Sequence, residues 1–173
     1  MPSPIKFAHV VLRTARFDEM LEWWSGVLEA DVRFANDFIA FLSFDDEHHR
    51  VAMISVPVED QELGRSGVDH VAYTYAGIDD QFETYQRLKL QGIEPYWMIH
   101  HGGTLSAYYR DPDGNQVELQ VDALTMEDTD TFMRSPVFAA NPIGIPVDFD
   151  DLVARYEDGE SEESILAYPL ATA

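Results

Sequence analysis

The chain has 173 residues, of which 46% are hydrophobic and 12% aromatic, as expected for one folded domain. Its formal net charge of −21 argues against nucleic acid or an anionic membrane as a partner, because phosphate groups are bound by basic surface. The absence of cysteine excludes disulfides, thiolate zinc sites, iron–sulfur clusters and a thiol nucleophile. Any metal must therefore be held by nitrogen and oxygen.

The sequence contains no membrane-helix signal, since no stretch reaches about 18 uninterrupted apolar residues. The first residues, Met1 to Phe7, lack the basic and apolar blocks of a signal peptide. We therefore expect a soluble, cytoplasmic protein without a membrane partner.

The first half begins with a strand-like run that contains His9. Apolar residues at the three-and-four spacing of an amphipathic helix follow, namely Phe17, Met20, Leu21, Trp24 and Leu28. Three short strands are predicted near residues 31–35, 38–44 and 50–56. The polar, unpatterned stretch 57–66 is predicted to be a linker.

The second half repeats this order. It opens with a strand-like run that contains His70, followed by a helix from Ile78 with Asp79 as its cap and Gly92 as its stop. Three more strands are predicted near residues 93–98, 104–110 and 115–121. Each half therefore follows the order strand, helix, strand, strand, strand.

We predict an α+β fold in which two tandem βαβββ modules, about residues 5–56 and 67–121, form a domain over residues 1–123. A pseudo-twofold, cup-shaped mixed sheet is expected. Residues 124–173 form an acidic tail, in which short helices near 125–134, 148–157 and 161–167 pack against the core or form a dimer contact. We expect a homo-oligomer, a dimer or higher.

The placement of two histidines indicates a metal site. His9 and His70 occupy equivalent points in the two opening strands, and aligning the closing strands sets Glu118 against Ala52. A single histidine on a strand is more often a hydrogen-bonded core residue than a ligand. Two equivalent histidines with one carboxylate, however, are the facial triad that non-haem iron(II) uses to keep coordination positions open.

The stretch from Ile99 to Glu118 resembles the signature of the extradiol dioxygenases. It contains a histidine, then an apolar residue and Tyr108, then the turn Asp111-Pro112-Asp113-Gly114, and finally Glu118. Ala107 departs from the signature, which has a larger apolar residue there. The layout of residues 5–121 resembles the vicinal oxygen chelate superfamily, which includes glyoxalase I, the fosfomycin- and bleomycin-resistance proteins and the type I extradiol dioxygenases.

This resemblance implies an enzyme that inserts both atoms of O2 into a small catechol-type diol. His9, His70 and Glu118 would hold Fe(II), with Mn(II) as an alternative. Trp97 and Tyr109 are among the candidate walls of an apolar pocket for the ring, although core packing is the more common role for each.

The resemblance also implies roles for three further residues. His49, in the run Glu47-His48-His49, matches the acid/base of the family, whereas His48 is expected to be a solvated turn residue. Tyr108 would hydrogen-bond the metal-bound substrate oxygen and His101 would orient the diol. His100 stays open as the alternative to His101, because neighbours on a strand face opposite ways.

Two other functions fit the same fold. A glyoxalase-like isomerase, epimerase or thiol transferase usually takes a fourth protein ligand from the first module, and Ala52 argues against one. A metal-free binding protein of the bleomycin-resistance kind would suit the acidic charge, but binding alone does not require the His9, His70 and Glu118 pattern.

Overall fold

The computed structural model describes residues 2–60, 62, 64 and 66–169, which form two compact units. The first unit comprises the described residues up to Gly67 together with Asp111–Asn115. The second comprises Val68–Arg110 together with the described residues from Gln116 onward. Among the described residues, no helix is both long and apolar enough to cross a membrane.

The first unit is a four-stranded mixed sheet with one helix. Its elements in chain order are β1 (Val10–Thr14), α1 (Phe17–Leu28), β2 (Asp31–Ala35), β3 (Ile39–Ser43) and β4 (Val51–Ser55). The strand order in the sheet is β1-β4-β3-β2, in which β1 and β4 are parallel and the other neighbours are antiparallel.

Helix α1 owes its position to the apolar spacing seen in the sequence. Met20, Trp24 and Val27 lie on one face and are all buried. The helix ends where Glu29 takes a left-handed conformation with φ 48°. Burial of this face, rather than helix propensity alone, stabilises a helix of this length.

The turn Asp111–Asn115 is organised around one buried carboxylate. Asp111 accepts hydrogen bonds from the indole of Trp24 at 3.1 Å and from the backbone amides of Asp113 and Asn115 at 3.1 and 2.8 Å. Burial raises the pKa of Asp111 above its usual range, although hydrogen bonds from Asn115 and Trp24 act against this shift. The DPDG turn is therefore a packing element as well as a chain reversal.

The second unit is a five-stranded mixed sheet followed by a helical segment. Its sheet module contains β5 (His70–Thr74), α2 (Ile78–Leu90), β6 (Trp97–His100), β7 (Thr104–Arg110) and β8 (Gln116–Asp122). The C-terminal segment contains α3 (Met126–Met133), α4 (Pro136–Ala140), β9 (Ile145–Pro146), α5 (Phe149–Glu157) and α6 (Glu162–Ile165). The strand order is β5-β8-β7-β6-β9, in which β5 and β8 are parallel and the other neighbours are antiparallel.

The predicted α+β class and the order strand, helix, strand, strand, strand are confirmed in both halves. The prediction of Asp79 as the cap of α2 was wrong. Gly77 occupies the cap position without a side-chain hydrogen bond, and Asp79 lies in the first turn, where its carboxylate accepts a hydrogen bond from Tyr156 at 2.7 Å. Gly92 does follow the helix, with φ +76°.

Two further predictions needed correction. The strand predicted at 93–98 is β6 at Trp97–His100, because Pro95 has no amide hydrogen to donate to a strand ladder. The predicted tail helices are found within a few residues, but α4 and β9 were missed.

The C-terminal segment shares the core of the second unit. The side chain of Phe149 is fully buried, with its ring 5.8 Å from that of Phe82 and 5.4 Å from that of Tyr85. At the margin, Asp150 accepts hydrogen bonds from Tyr85 at 2.9 Å and Lys89 at 2.6 Å. Helix α5 therefore covers apolar surface of α2.

Candidate active site

The strand registers of the two units are equivalent around the predicted ligands. In the first unit Val11 pairs with Ala52, and in the second Ala72 pairs with Glu118. His9 immediately precedes β1, and His70 is the first residue of β5. The alignment that set Glu118 against Ala52 is thus found in the hydrogen-bonded ladders.

In the second unit, His70 and Glu118 form a close pair. The Nε2 atom of His70 lies 3.0 Å from Oε2 of Glu118, and the Nδ1 atom lies 2.8 Å from a carboxylate oxygen of Asp69. Glu118 is 5% exposed, so its charge is largely removed from water. A buried carboxylate requires a partner, because burial of an unpaired charge is costly.

This pair fits a metal site by the chemistry of its donor atoms. A carboxylate can only accept, so the contact with Asp69 requires a proton on Nδ1 of His70. In the neutral ring, Nε2 then presents a lone pair toward Glu118, and two acceptors 3.0 Å apart require a cation or a proton between them. A carboxylate that orients a histidine in this way is common around bound metals.

Tyr108 and His101 lie beside this pair. The Nε2 atom of His101 is 3.0 Å from the hydroxyl of Tyr108 and 3.9 Å from Oε1 of Glu118. Burial, reinforced by the neighbouring carboxylate of Glu118, raises the pKa of Tyr108, so its hydroxyl keeps its proton at neutral pH. The ring of Trp97 lies 4.8 Å from that of Tyr108, which supplies an aromatic wall.

The neighbouring residues His100 and His101 have different surroundings. His100 is buried, accepts a hydrogen bond from the amide of Gly102 at 3.0 Å and donates one to the carbonyl of Leu166 at 2.9 Å. Both of its ring nitrogens are therefore satisfied away from Glu118. His101, and not His100, lies beside Tyr108. Tyr109 points to the core and is 1% exposed, so it is not a pocket wall.

In the first unit, His9 and His49 lie together. Their ring centroids are 4.3 Å apart, and the ring of Phe41 lies 4.7 Å from that of His49. Burial lowers the pKa of His49, and the positive charges of His9 and His48 would lower it further. His48 is 68% exposed, as expected for a turn residue.

Within either unit, no group of three or more histidine and carboxylate side chains among the described residues is close enough to hold a metal ion. In the second unit, His70 and Glu118 bring two such side chains within 3.0 Å of each other. Sequence reasoning missed Asp69, although its position directly before His70 was a usable signal. It also missed a backbone contact between His101 and the loop after α4, for which the sequence carries no local signal.

Comparison with known proteins agrees with this geometry. Residues 6–119 match the Glyoxalase/Bleomycin resistance protein/Dioxygenase superfamily. The chain is 44% identical over 151 residues to biphenyl-2,3-diol 1,2-dioxygenase 2 of Rhodococcus globerulus, covering 86% of this chain and 80% of that protein. It is 37% identical over 173 residues to biphenyl-2,3-diol 1,2-dioxygenase 3 of the same organism, covering 96% and 91%.

A solved structure with the same fold is the fosfomycin resistance protein FosX of Listeria monocytogenes. Its TM-score is 0.59 at 16% identity, and the match covers 76% of this chain and all of that one. An identity this low shows the fold alone. The match over residues 6–119 and the two dioxygenase relatives show membership of a family, and the ladder registers agree with it. The chain therefore belongs to the Glyoxalase/Bleomycin resistance protein/Dioxygenase superfamily.

Proposed function

We propose that this protein is an extradiol ring-cleaving dioxygenase that uses non-haem Fe(II) to insert both atoms of O2 into a catechol-type aromatic diol. The observation that carries the proposal is the 3.0 Å contact between Nε2 of His70 and Oε2 of Glu118. Asp69 orients the ring of His70, and Tyr108 and His101 lie beside the contact. The 44% identity to a biphenyl-2,3-diol 1,2-dioxygenase supports the same chemistry.

His70 and Glu118 would hold the metal, and His9 is the proposed third ligand. His9 has the equivalent register position to His70, whereas the position equivalent to Glu118 is Ala52, which cannot coordinate. Three protein ligands leave positions open for substrate and oxygen. When bound, Fe(II) would polarise the diol and bring it together with O2. The nitrogen and oxygen donors also suit Mn(II).

The substrate class follows from the relatives and the aromatic lining. Both Rhodococcus proteins are named for an aryl-substituted catechol. In this chain, the ring of Tyr108 lies 5.2 Å from that of His70, and the ring of Trp97 lies 4.8 Å from that of Tyr108. We propose a diol with a flat apolar substituent as the preferred substrate.

Three side chains would donate or accept protons and hydrogen bonds during the reaction. The hydroxyl of Tyr108 stays protonated and can donate to an oxygen of the bound diol. His101 would accept a hydrogen bond through Nε2 on the same side. His49, whose pKa is lowered by burial, is neutral at pH 7 and can therefore accept a proton as a general base.

Oxygen uptake by the anaerobically iron-reconstituted protein tests the proposal. With 2,3-dihydroxybiphenyl we expect equimolar consumption of O2 and diol, and a product heavier than the substrate by both oxygen atoms. Catechol itself should be a poorer substrate. Isomerase or thiol-transferase activity with nickel or zinc, without oxygen uptake, would contradict the proposal, as would failure of the protein to bind iron.

The substitution Tyr108→Phe should lower kcat about ten- to hundredfold, because it removes one hydrogen bond to a developing charge. Iron content should stay unchanged, since Tyr108 is not a proposed ligand. Steady-state oxygen uptake and iron analysis measure the two effects. Tyr156→Phe is the matched control, because it removes a hydroxyl that bonds Asp79 instead. Equal kcat for Tyr108→Phe and the parent would refute the role.

A further inference from the structure

The C-terminal segment reaches the candidate site through one backbone carbonyl. The Nδ1 atom of His101 lies 2.5 Å from the carbonyl oxygen of Ile143, in the loop between α4 and β9. A carbonyl can only accept, so this contact places the proton of the neutral ring on Nδ1. Nε2 is then a lone pair, and the hydroxyl of Tyr108, 3.0 Å away, must be the donor between them.

We propose that the loop Asn141–Gly144 is a positioning element that fixes the tautomer of His101 and thereby the direction in which Tyr108 donates its proton. This inference rests on the proposed function for its catalytic meaning. The hydroxyl of Tyr108 can donate to His101 or to Glu118, but not to both. With Nδ1 of His101 protonated, the hydroxyl of Tyr108 donates to His101 while no diol is bound, and the lone pairs of Glu118 stay available for a metal.

The opposite tautomer would reverse this arrangement. If His101 carried its proton on Nε2, the oxygen of Tyr108 would have to accept it and would turn its own hydrogen to Glu118. Glu118 would then be engaged as an acceptor when the metal arrives. The carbonyl of Ile143 therefore selects between two hydrogen-bond directions at the candidate site.

Asn141 holds the loop in place. Its side-chain amide donates to the carbonyl of Gly144 at 2.6 Å, and its side-chain oxygen accepts from the amide of Gly144 at 3.2 Å. One side chain thus satisfies both polar groups of Gly144. This double contact closes the loop around the carbonyl of Ile143.

Gly144 allows the loop to approach the backbone of His100 and His101 closely. Its φ is +114°, and an added Cβ would lie 2.3 Å from the carbonyl oxygen of His100 and 2.9 Å from the Cα of His101. Strand β9 continues the contact, as Ile145 pairs with His100 in an antiparallel ladder. Three features therefore fix the carbonyl of Ile143: the hydrogen bonds of Asn141, the close approach of Gly144 and the pairing of β9 with β6.

The loop lies beyond the superfamily segment, which ends at residue 119. The side chain of Ile143 is 60% exposed, so only its backbone makes the contact with His101.

His100 supplies an internal reference, because its contacts with Gly102 and Leu166 require the opposite tautomer, protonated on Nε2. The two adjacent histidines should therefore differ in tautomer.

The test is the ring ¹⁵N spectrum of the metal-free protein at alkaline pH, which favours neutral imidazole rings. Two-bond ¹H–¹⁵N correlations should show His101 protonated on Nδ1 and His100 on Nε2. A His101 signal protonated on Nε2 in the unsubstituted protein would overturn the inference without recourse to any variant.

Asn141→Ala should move His101 toward a mixture of tautomers and lower kcat about tenfold with little change in KM. Asn141→Asp, which retains the acceptor for the amide of Gly144, should recover part of both effects. Val137→Ala, at an exposed side chain of α4 outside the loop, is the control and should leave tautomer and kcat within about twofold. An unchanged His100 signal verifies that the segment stays docked.

An unaltered His101 tautomer in Asn141→Ala, with His100 intact, would refute the loop as the positioning element. These spectra need neither iron nor substrate. Failure of the protein to consume O2 would therefore count against the proposed function only, whereas a wrong tautomer would count against this inference only.

Discussion

Glu118→Gln is expected to weaken iron binding at least about a hundredfold and to abolish oxygen uptake. Glutamine keeps the shape of the side chain but loses the negative charge that faces Nε2 of His70 at 3.0 Å. Loss of a residue that only orients a metal ligand costs about 10–100-fold, so loss of a ligand should cost at least as much. Iron content after anaerobic reconstitution and gel filtration measures the effect.

The matched control is Glu94→Gln, the same chemical change at an exposed position of the same unit. It should bind iron and consume O2 like the parent. Unchanged circular dichroism in both variants would show that the fold is retained. If Glu118→Gln kept stoichiometric iron and full activity, Glu118 would not be a metal ligand and the triad assignment would have to be abandoned.

Phe149→Ala is expected to lower the free energy of unfolding by about 3–5 kcal/mol, the usual cost of removing a large buried aromatic side chain. The ring of Phe149 is fully buried and lies edge-on to both Phe82 and Tyr85. Removal leaves a cavity between α5 and α2 that neighbouring side chains can fill only in part. Urea denaturation followed by tryptophan fluorescence and circular dichroism gives the value.

Phe7→Ala makes the same substitution at a side chain that is 67% exposed, and it should cost less than about 1 kcal/mol. A loss below about 1 kcal/mol in Phe149→Ala would mean that α5 contributes little to the core of the second unit. The C-terminal segment would then be an appendage, contrary to the packing described here.

Local patterns in the sequence were sufficient for the sheet modules. The spacing of Met20 and Trp24 predicted α1, and the strands predicted at 31–35 and 104–110 have those bounds in the structure. The superfamily prediction is confirmed by the match over residues 6–119. These features depend on residues close in sequence, or on a repeat that can be aligned by eye.

The errors occurred where distant residues decide the structure. Strand β9 has only two residues, and it forms because β6 presents an open edge to it. Its sequence, in the segment Asn141–Pro146, has the proline and glycine content of a loop. Gly77 took the cap position of α2, while the predicted cap Asp79 instead contacts Tyr156 of α5.

The sequence by itself determined the two-module pattern, the donor atoms available to a metal and the equivalence of His9 with His70. Strand alternation and a cysteine-free composition were enough for these inferences. Only the tertiary structure shows which of His100 and His101 lies beside Tyr108, because strand alternation predicts that they face opposite ways but not which face is buried. The C-terminal segment accepts a hydrogen bond from each ring, through the carbonyl of Leu166 for His100 and that of Ile143 for His101.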